Sequence, residues 1–259
     1  MQLKADQLEQ HLARDLKPLY VVHGDEPLLA LEAADAIRAR ARGAGYTVRD
    51  VYTVERGFDW SAFANAAAGM SLFGDRKVLE LRLPTGKPGT EGAAAIERHC
   101  RRLSDDTVTL VTLPRLDRAG QGAAWFGALA EAGVVVNVFP VDRVHLSSWI
   151  AGRLSRQKQK ASEDALAFIA GCVEGNLLAA HQEIQKLGLL YPPGALTEDQ
   201  VRDAVLDVAR YDVAQIGAGM LGGDSVQPAA VPAGRPTTPA RFGPMECPAP
   251  ADAVWHTEH

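Results

Sequence analysis

Five short runs of β-branched and aliphatic residues, separated by helical patterns, decide most of what this chain can fold into. They are "LYVV" (Leu19 to Val22), "VRDVYTV" (Val48 to Val54), "KVLELRL" (Lys77 to Leu83), "VTLVTL" (Val108 to Leu113) and "VVVNVF" (Val134 to Phe139). Several are almost continuously apolar, as strands covered on both faces must be. Between them the apolar period lengthens. After "HGDEP", Asp25 is placed to cap a helix and Pro27 suits its first turn, and Leu29, Ala33 and Ile37 then share one face. "WSAFANAAAGM" and "AAWFGALAEAG" repeat the scheme, the second stopping at Gly133 as at a helix C-terminus. Strands alternating with helices predict an α/β fold around a parallel sheet.

From about Asp142 the strand signal ends. "HLSSWIAGRLSRQ", "SEDALAFIAGCVEG", "NLLAAHQEIQKLGLLY" and "TEDQVRDAVLDVA" are four helical patterns with short breaks. Thr197 and Gln200 have capping-box spacing, and "YPPG" (Tyr191 to Gly194) ends the helix before it. These patterns predict a small helical domain. Past Leu221 the character changes again: Gly222 to His259 holds seven of the fifteen prolines and no apolar period, which predicts disorder. The expected division is 1–140, 141–212 and 213–259.

With 259 residues, 47% of them hydrophobic and 23% charged, the chain has the composition of a globular protein with a real core. A net charge of −5 provides no global positive field for nucleic acid or an anionic membrane, so any DNA contact is local or shared with partners. The start, "MQLKADQLEQHLARDLK", is charged throughout, unlike a signal peptide, and no window is long and apolar enough to span a membrane. Cys100, Cys172 and Cys247 are far apart, odd in number and without a CxxC, and read as free thiols in a reducing compartment. A cytoplasmic protein is expected.

The places where chemistry would sit lack the residues for it. The first strand runs into "HGDEPLLALE", where a phosphate-binding loop would supply GxxxxGK[ST]. Gly24 is present, but the lysine for the phosphates and the hydroxyl for magnesium are missing. The fourth strand run ends in Thr112, Leu113 and Pro114 rather than an acidic pair, and Asp117 beyond it reads as a turn residue. His23 reads as a hydrogen-bonded structural histidine, and the remaining histidines show neither triad order nor metal-ligand spacing. No catalytic residue, metal or cofactor is expected.

One short stretch resists this bland reading. In "AGMSLFGDRKVLEL", Met70, Leu72 and Phe73 crowd a turn between Gly69 and Gly74, just ahead of the third strand. Either they fold back over the strand end, or they project as an anchor with a charged rim of Asp75, Arg76 and Lys77. Composition leaves both open.

Taken in order, "YVVHGDEPLLALEAADAIR", "FDWSAF", "GMSLFGDRKVLELRLP", "AAWFGALAEAGVVV" and "EGNLLAAHQEIQKLGLLYP" resemble the delta subunits of the bacterial DNA polymerase III clamp loader, over roughly the first 220 residues. The resemblance implies an AAA+-like parallel-sheet domain, a helical lid and a C-terminal helical collar. It implies a subunit that neither binds nor hydrolyses ATP and that opens the ring-shaped sliding clamp. It implies a clamp contact at Met70, Leu72 and Phe73, with Leu72 and Phe73 inserted into a hydrophobic pocket of the clamp.

The implied partners are the sliding clamp (beta subunit), the delta-prime and tau/gamma loader subunits, and DNA only within the assembled complex, with no membrane. In the assembly, ATP held by sibling subunits would expose the delta wedge, which would then hold the opened clamp. Arg76, Lys77, Arg101 and Arg102 are expected to solvate the surface. The departure lies at the C-terminus: "YDVAQIGAGMLGGDS" starts like the collar, and the Pro-rich sequence that follows suggests a frameshift or truncation, so the collar is expected to be missing. The rival readings are a degenerate AAA+ ATPase, a delta-prime-type subunit, which the missing Ser-Arg-Cys motif disfavours, and an inert truncated fragment.

Overall fold

The computed structural model describes residues 1–68 and 76–205. Met70, Leu72 and Phe73, the expected collar start and the Pro-rich tail lie outside the described residues.

All five strand runs form strands of one parallel sheet: β2 (Leu19–His23), β3 (Tyr46–Thr53), β4 (Arg76–Arg82), β5 (Thr107–Leu113) and β6 (Val134–Asn137). A sixth, β1 (Gln2–Lys4), was not expected, and it pairs in parallel with β6 at one edge. The order is β1-β6-β2-β5-β4-β3. From β2 the chain crosses to the far edge at β3 and walks back through β4 and β5. It then passes over β2 to β6, which makes the C-terminal end of β2 the point where strand order reverses.

Helices cover both faces. Tyr20 and Val22 point to a layer built from α1 (Leu8–Arg14) and α2 (Pro27–Gly43). Leu19 and Val21 point to the opposite layer, made of α3 (Trp60–Ala68), α4 (Gly89–Cys100) and α6 (Ala124–Ala132). A one-turn helix, α5 (Arg118–Gln121), precedes α6. Gly133 ends α6 in extended rather than left-handed backbone. Its glycine requirement is spatial, because a Cβ there would lie 2.6 Å from the Leu19 carbonyl oxygen.

The helical part has its own core. It comprises α7 (Arg143–Arg156), α8 (Glu163–Cys172), α9 (Leu177–Leu190) and a helical stretch over 198–205. Ile150, Leu154, Ile169, Ile184, Leu187 and Val201 meet in it. The capping box forms as expected, Thr197 N–H donating to Gln200 Oε1 (2.9 Å) and Gln200 N–H to Thr197 Oγ1 (3.2 Å). Strands do not stop altogether: β7 (Gln159–Lys160) and β8 (Gly194–Ala195) pair in parallel, and buried Gln159 donates to the Leu187 and Tyr191 carbonyls that end α9. Leu28, in the first turn of α2, belongs to this helical core. Arg153 on α7 forks both oxygens of Glu32 on α2, its guanidinium 4.5 Å from the Trp149 ring centroid. The parallel sheet followed by a helical part is the α/β architecture anticipated from the sequence.

Glu80 is a buried carboxylate within the sheet. It sits mid-strand in β4 with its side chain 1% exposed, and it accepts from Arg38 of α2 (Nε 2.7 Å, Nη2 3.1 Å) and from Nε and Nη2 of Arg49 on β3. Burial alone would push its carboxyl pKa up. The hydrogen bonds and charges of Arg49 and Arg38 overcome this and hold it down at about 2. A buried carboxylate of this kind is tolerated only because its partners are in place.

Candidate functional site

The C-terminal end of β2 comes first, because in open α/β sheets ligands gather where strand order reverses. Here the crevice is stitched shut by the chain itself. Val138 N–H donates to the His23 carbonyl, Glu26 N–H to the Val138 carbonyl, and Gly24 N–H to the Leu113 carbonyl at the end of β5. Gly24 has φ +152°, and a Cβ on it would fall 1.8 Å from the Val138 oxygen, so close strand approach accounts for this glycine without a phosphate.

The side chains at the crevice are equally occupied. His23 is 2% exposed. Its Nε2 accepts from Leu116 N–H (2.9 Å), which puts the proton on Nδ1, facing Asn137 Oδ1 at 3.3 Å. It is the structural histidine expected. Asp25 does not cap α2; its Oδ1 accepts from Arg115 N–H (2.8 Å), and Glu26 takes the cap position, accepting from Leu28 N–H (3.3 Å). The reason is reach: Asp25 lies two residues before Pro27, and Glu26, immediately before it, has the longer side chain. A carboxylate over the α2 N-terminus fills the position where a phosphate would meet the helix dipole, and it repels one. Asp117 caps α5 by accepting from Gly120 N–H (2.7 Å), the turn role expected of it.

The stretch carrying Met70, Leu72 and Phe73 is known here through its flanks. The last described turn of α3 leads into it, and β4 begins after it. The α3 layer is fastened by aromatic edges: Trp60 and Phe63 are buried, with Phe63 against Tyr52 (5.9 Å between centroids) and His99 (5.5 Å). His99 itself bonds Thr109 Oγ1 (2.8 Å), and burial lowers its pKa to about 4.

The first two residues of β4 are tied down differently. Arg76 lies over the Tyr46 ring (5.5 Å) and 3.8 Å from Asp106, and it stays half exposed. Lys77 departs from the expectation of a solvated surface charge. Its side chain is only 15% exposed, with Nζ 3.6 Å from Asp50 Oδ2 and donating to the Ala66 carbonyl in the last turn of α3. Arg101 and Arg102 are exposed, as expected. Sequence reasoning missed the Lys77 contact because "DRK" reads as a polar rim; its only signal was a lysine opening an otherwise buried strand.

Among the described residues no group of acidic, histidine or cysteine side chains is arranged to hold a metal ion, and no helix is long and apolar enough to cross a membrane. Cys100 and Cys172 are unpaired, and burial raises the Cys100 thiol to about 11, which makes it a poor nucleophile. Cys247 lies outside the described residues.

Comparison with known proteins follows the same line. The profile of the family described as DNA polymerase III, delta subunit, matches residues 20–139. The chain is 33% identical over 211 residues to the DNA polymerase III subunit delta of Escherichia coli (strain K12), across 82% of this chain and 62% of that one. It is 26% identical over 207 residues to the subunit of the same name in Haemophilus influenzae, across 77% and 59%. The chain therefore spans about three fifths of the length of the curated relatives it matches. Among solved structures, the Bacillus subtilis DNA clamp loader delta protein has a similar fold, with a TM-score of 0.60 at 17% identity, covering 84% of this chain and 71% of that one.

Proposed function

We propose that the chain, whose residues 20–139 match the DNA polymerase III delta-subunit family, acts as a non-catalytic clamp-loader subunit. In this reading it binds the sliding clamp and favours its opened form for loading onto primed DNA. The observation that carries the reading is the family match together with a strand-reversal point whose His23, Asp25 and Glu26 side chains are engaged within the chain. A protein of this fold that cannot use nucleotide must act by contact.

The contact is assigned to Met70, Leu72 and Phe73, with Leu72 and Phe73 as the anchors that enter a hydrophobic pocket on the clamp. Two such side chains contribute roughly 3 to 6 kcal/mol by area burial before ordering costs are subtracted, a scale suited to holding open an interface that otherwise closes. Nucleotide-driven shape change then belongs to sibling subunits of the delta-prime and tau/gamma types, and DNA is met only in the assembly. On this account the protein works in the cytoplasm.

The test is a binding titration of the purified chain with the sliding clamp of the same organism. The wild type binds. Leu72→Ala plus Phe73→Ala loses at least about a hundredfold in affinity, as hot-spot anchors do, while its circular dichroism and melting temperature stay unchanged. Equal affinity of the two proteins would refute the assignment.

A further inference from the structure

The geometry points to Lys77 as a positioning residue for clamp binding, a staple that fixes the two flanks of the anchor-bearing stretch relative to each other; this rests on the function proposed above. Ala66 is in the last described turn of α3. The Lys77 ammonium rises from the start of β4 to donate to the Ala66 carbonyl, and Asp50 on the neighbouring strand β3 lies 3.6 Å away on its other side. Its own backbone is fixed as well, Lys77 N–H donating to the Asp106 carbonyl (3.0 Å). One side chain thus joins the helix that enters the stretch to two strands of the sheet that receives it.

The arrangement is more than general packing. A surface lysine in a strand ordinarily leaves its ammonium in water, whereas this one is 85% removed from it and given two partners of the right sign. Fixing both flanks lowers the conformational freedom that clamp binding would otherwise have to remove, so the free protein is already partly ordered for its partner. The prediction is kinetic and thermodynamic at once: without the staple, fewer molecules present the anchors correctly, and apparent affinity falls by that fraction.

The experiment measures clamp affinity for the full chain carrying Lys77→Met, Lys77→Arg or Asp50→Asn, each alone and in the Leu72→Ala plus Phe73→Ala background. Lys77→Met is expected to weaken binding roughly threefold to tenfold, the range of ordering one or two side chains. Lys77→Arg, which keeps the donor and the charge, stays within about twofold of wild type, and Asp50→Asn shifts in the same direction as Lys77→Met by less. In the Leu72→Ala plus Phe73→Ala background the Lys77→Met penalty vanishes, because no anchor is left to position, and a purely structural role would leave it unchanged. Wild-type affinity in a folded Lys77→Met protein, or an equal loss in Lys77→Met and Lys77→Arg, would overturn the proposal. If Lys77→Met cannot be obtained folded, wild-type affinity in Asp50→Asn overturns it instead. Failure of the anchor reading is distinguishable: in that case Leu72→Ala plus Phe73→Ala binds like wild type.

Discussion

The β2–α2 turn and the α3–β4 flanks lie at opposite ends of one parallel sheet, the first after a strand and the second before one. At the β2–α2 turn the polar side chains are engaged within the protein: His23 with Leu116 and Asn137, Asp25 with Arg115, Glu26 with the helix it caps. At the α3–β4 flanks the polar groups fasten only the ends, Lys77 to Ala66 and Arg76 beside Asp106. On the proposed function, the first region is closed on itself, whereas the second is braced at its base for contact. The regions are also linked, because Arg38 of α2 and Glu80 of β4 bond each other.

Breaking that link has the largest expected effect. Glu80→Gln leaves Arg38 and Arg49 facing a neutral amide and costs about 2 to 4 kcal/mol, read from urea unfolding. The sign of the pH dependence follows from the carboxyl pKa of about 2 in the fold. A carboxylate whose pKa is depressed in the fold adds stability above its unfolded value, near 4.3, and loses it as pH falls toward 2. Wild type therefore destabilises through that window, and Glu80→Gln follows a flatter curve there. His99 acts in a higher window. Its pKa is lowered to about 4 by burial, so the unfolded chain takes up a proton first, and stability drops as pH falls from about 6.5 toward 4. Removing the imidazole in His99→Gln flattens that part of the curve.

Gly24→Ala sharpens the contrast at the other end. The added methyl meets the Val138 carbonyl in backbone that L residues rarely adopt, and the expected loss is about 2 kcal/mol or more by thermal unfolding. Calorimetry with Mg-ATP is expected to show no heat of binding for wild type or variant. A stability equal to wild type would mean that the turn is less tightly closed than its hydrogen bonds imply.

Arg153→Met tests how firmly the helical layer holds α2. With side-chain exposures of 13% and 33%, the Arg153–Glu32 pair stands between an exposed and a buried ion pair, and losing it costs about 1 to 2 kcal/mol in the same unfolding assay. Glu26→Gln is the mildest change, about 0.5 kcal/mol from a weakened helix cap, again with no gain of nucleotide binding.

Much of the sheet was legible because its strands are buried on both faces, and such strands must be apolar almost throughout. β1 escaped notice because "QLK" is three residues long and half exposed, with no period to read. α4 escaped because its buried face, Gly92, Ala95, Ile96 and His99, carries a single large aliphatic side chain. Glu80 looked like an ordinary charge in "KVLELRL", since its two arginines come from distant parts of the chain. The lack of a phosphate-binding lysine and hydroxyl after Gly24 could be read directly from the sequence. The carboxylate that closes the site could not, because choosing between Asp25 and Glu26 takes three-dimensional reach. Met70, Leu72 and Phe73 acquired a role only through resemblance, because two hydrophobes in a turn look alike whether they face a core or a partner.

The most direct test of the contact-without-chemistry account is clamp affinity of the wild-type chain measured with and without Mg-ATP. The account predicts measurable binding that is the same in both conditions, since the β2–α2 turn takes no nucleotide and the anchors need none. Binding that appears only with ATP, or no binding by the folded chain in either condition, would contradict it.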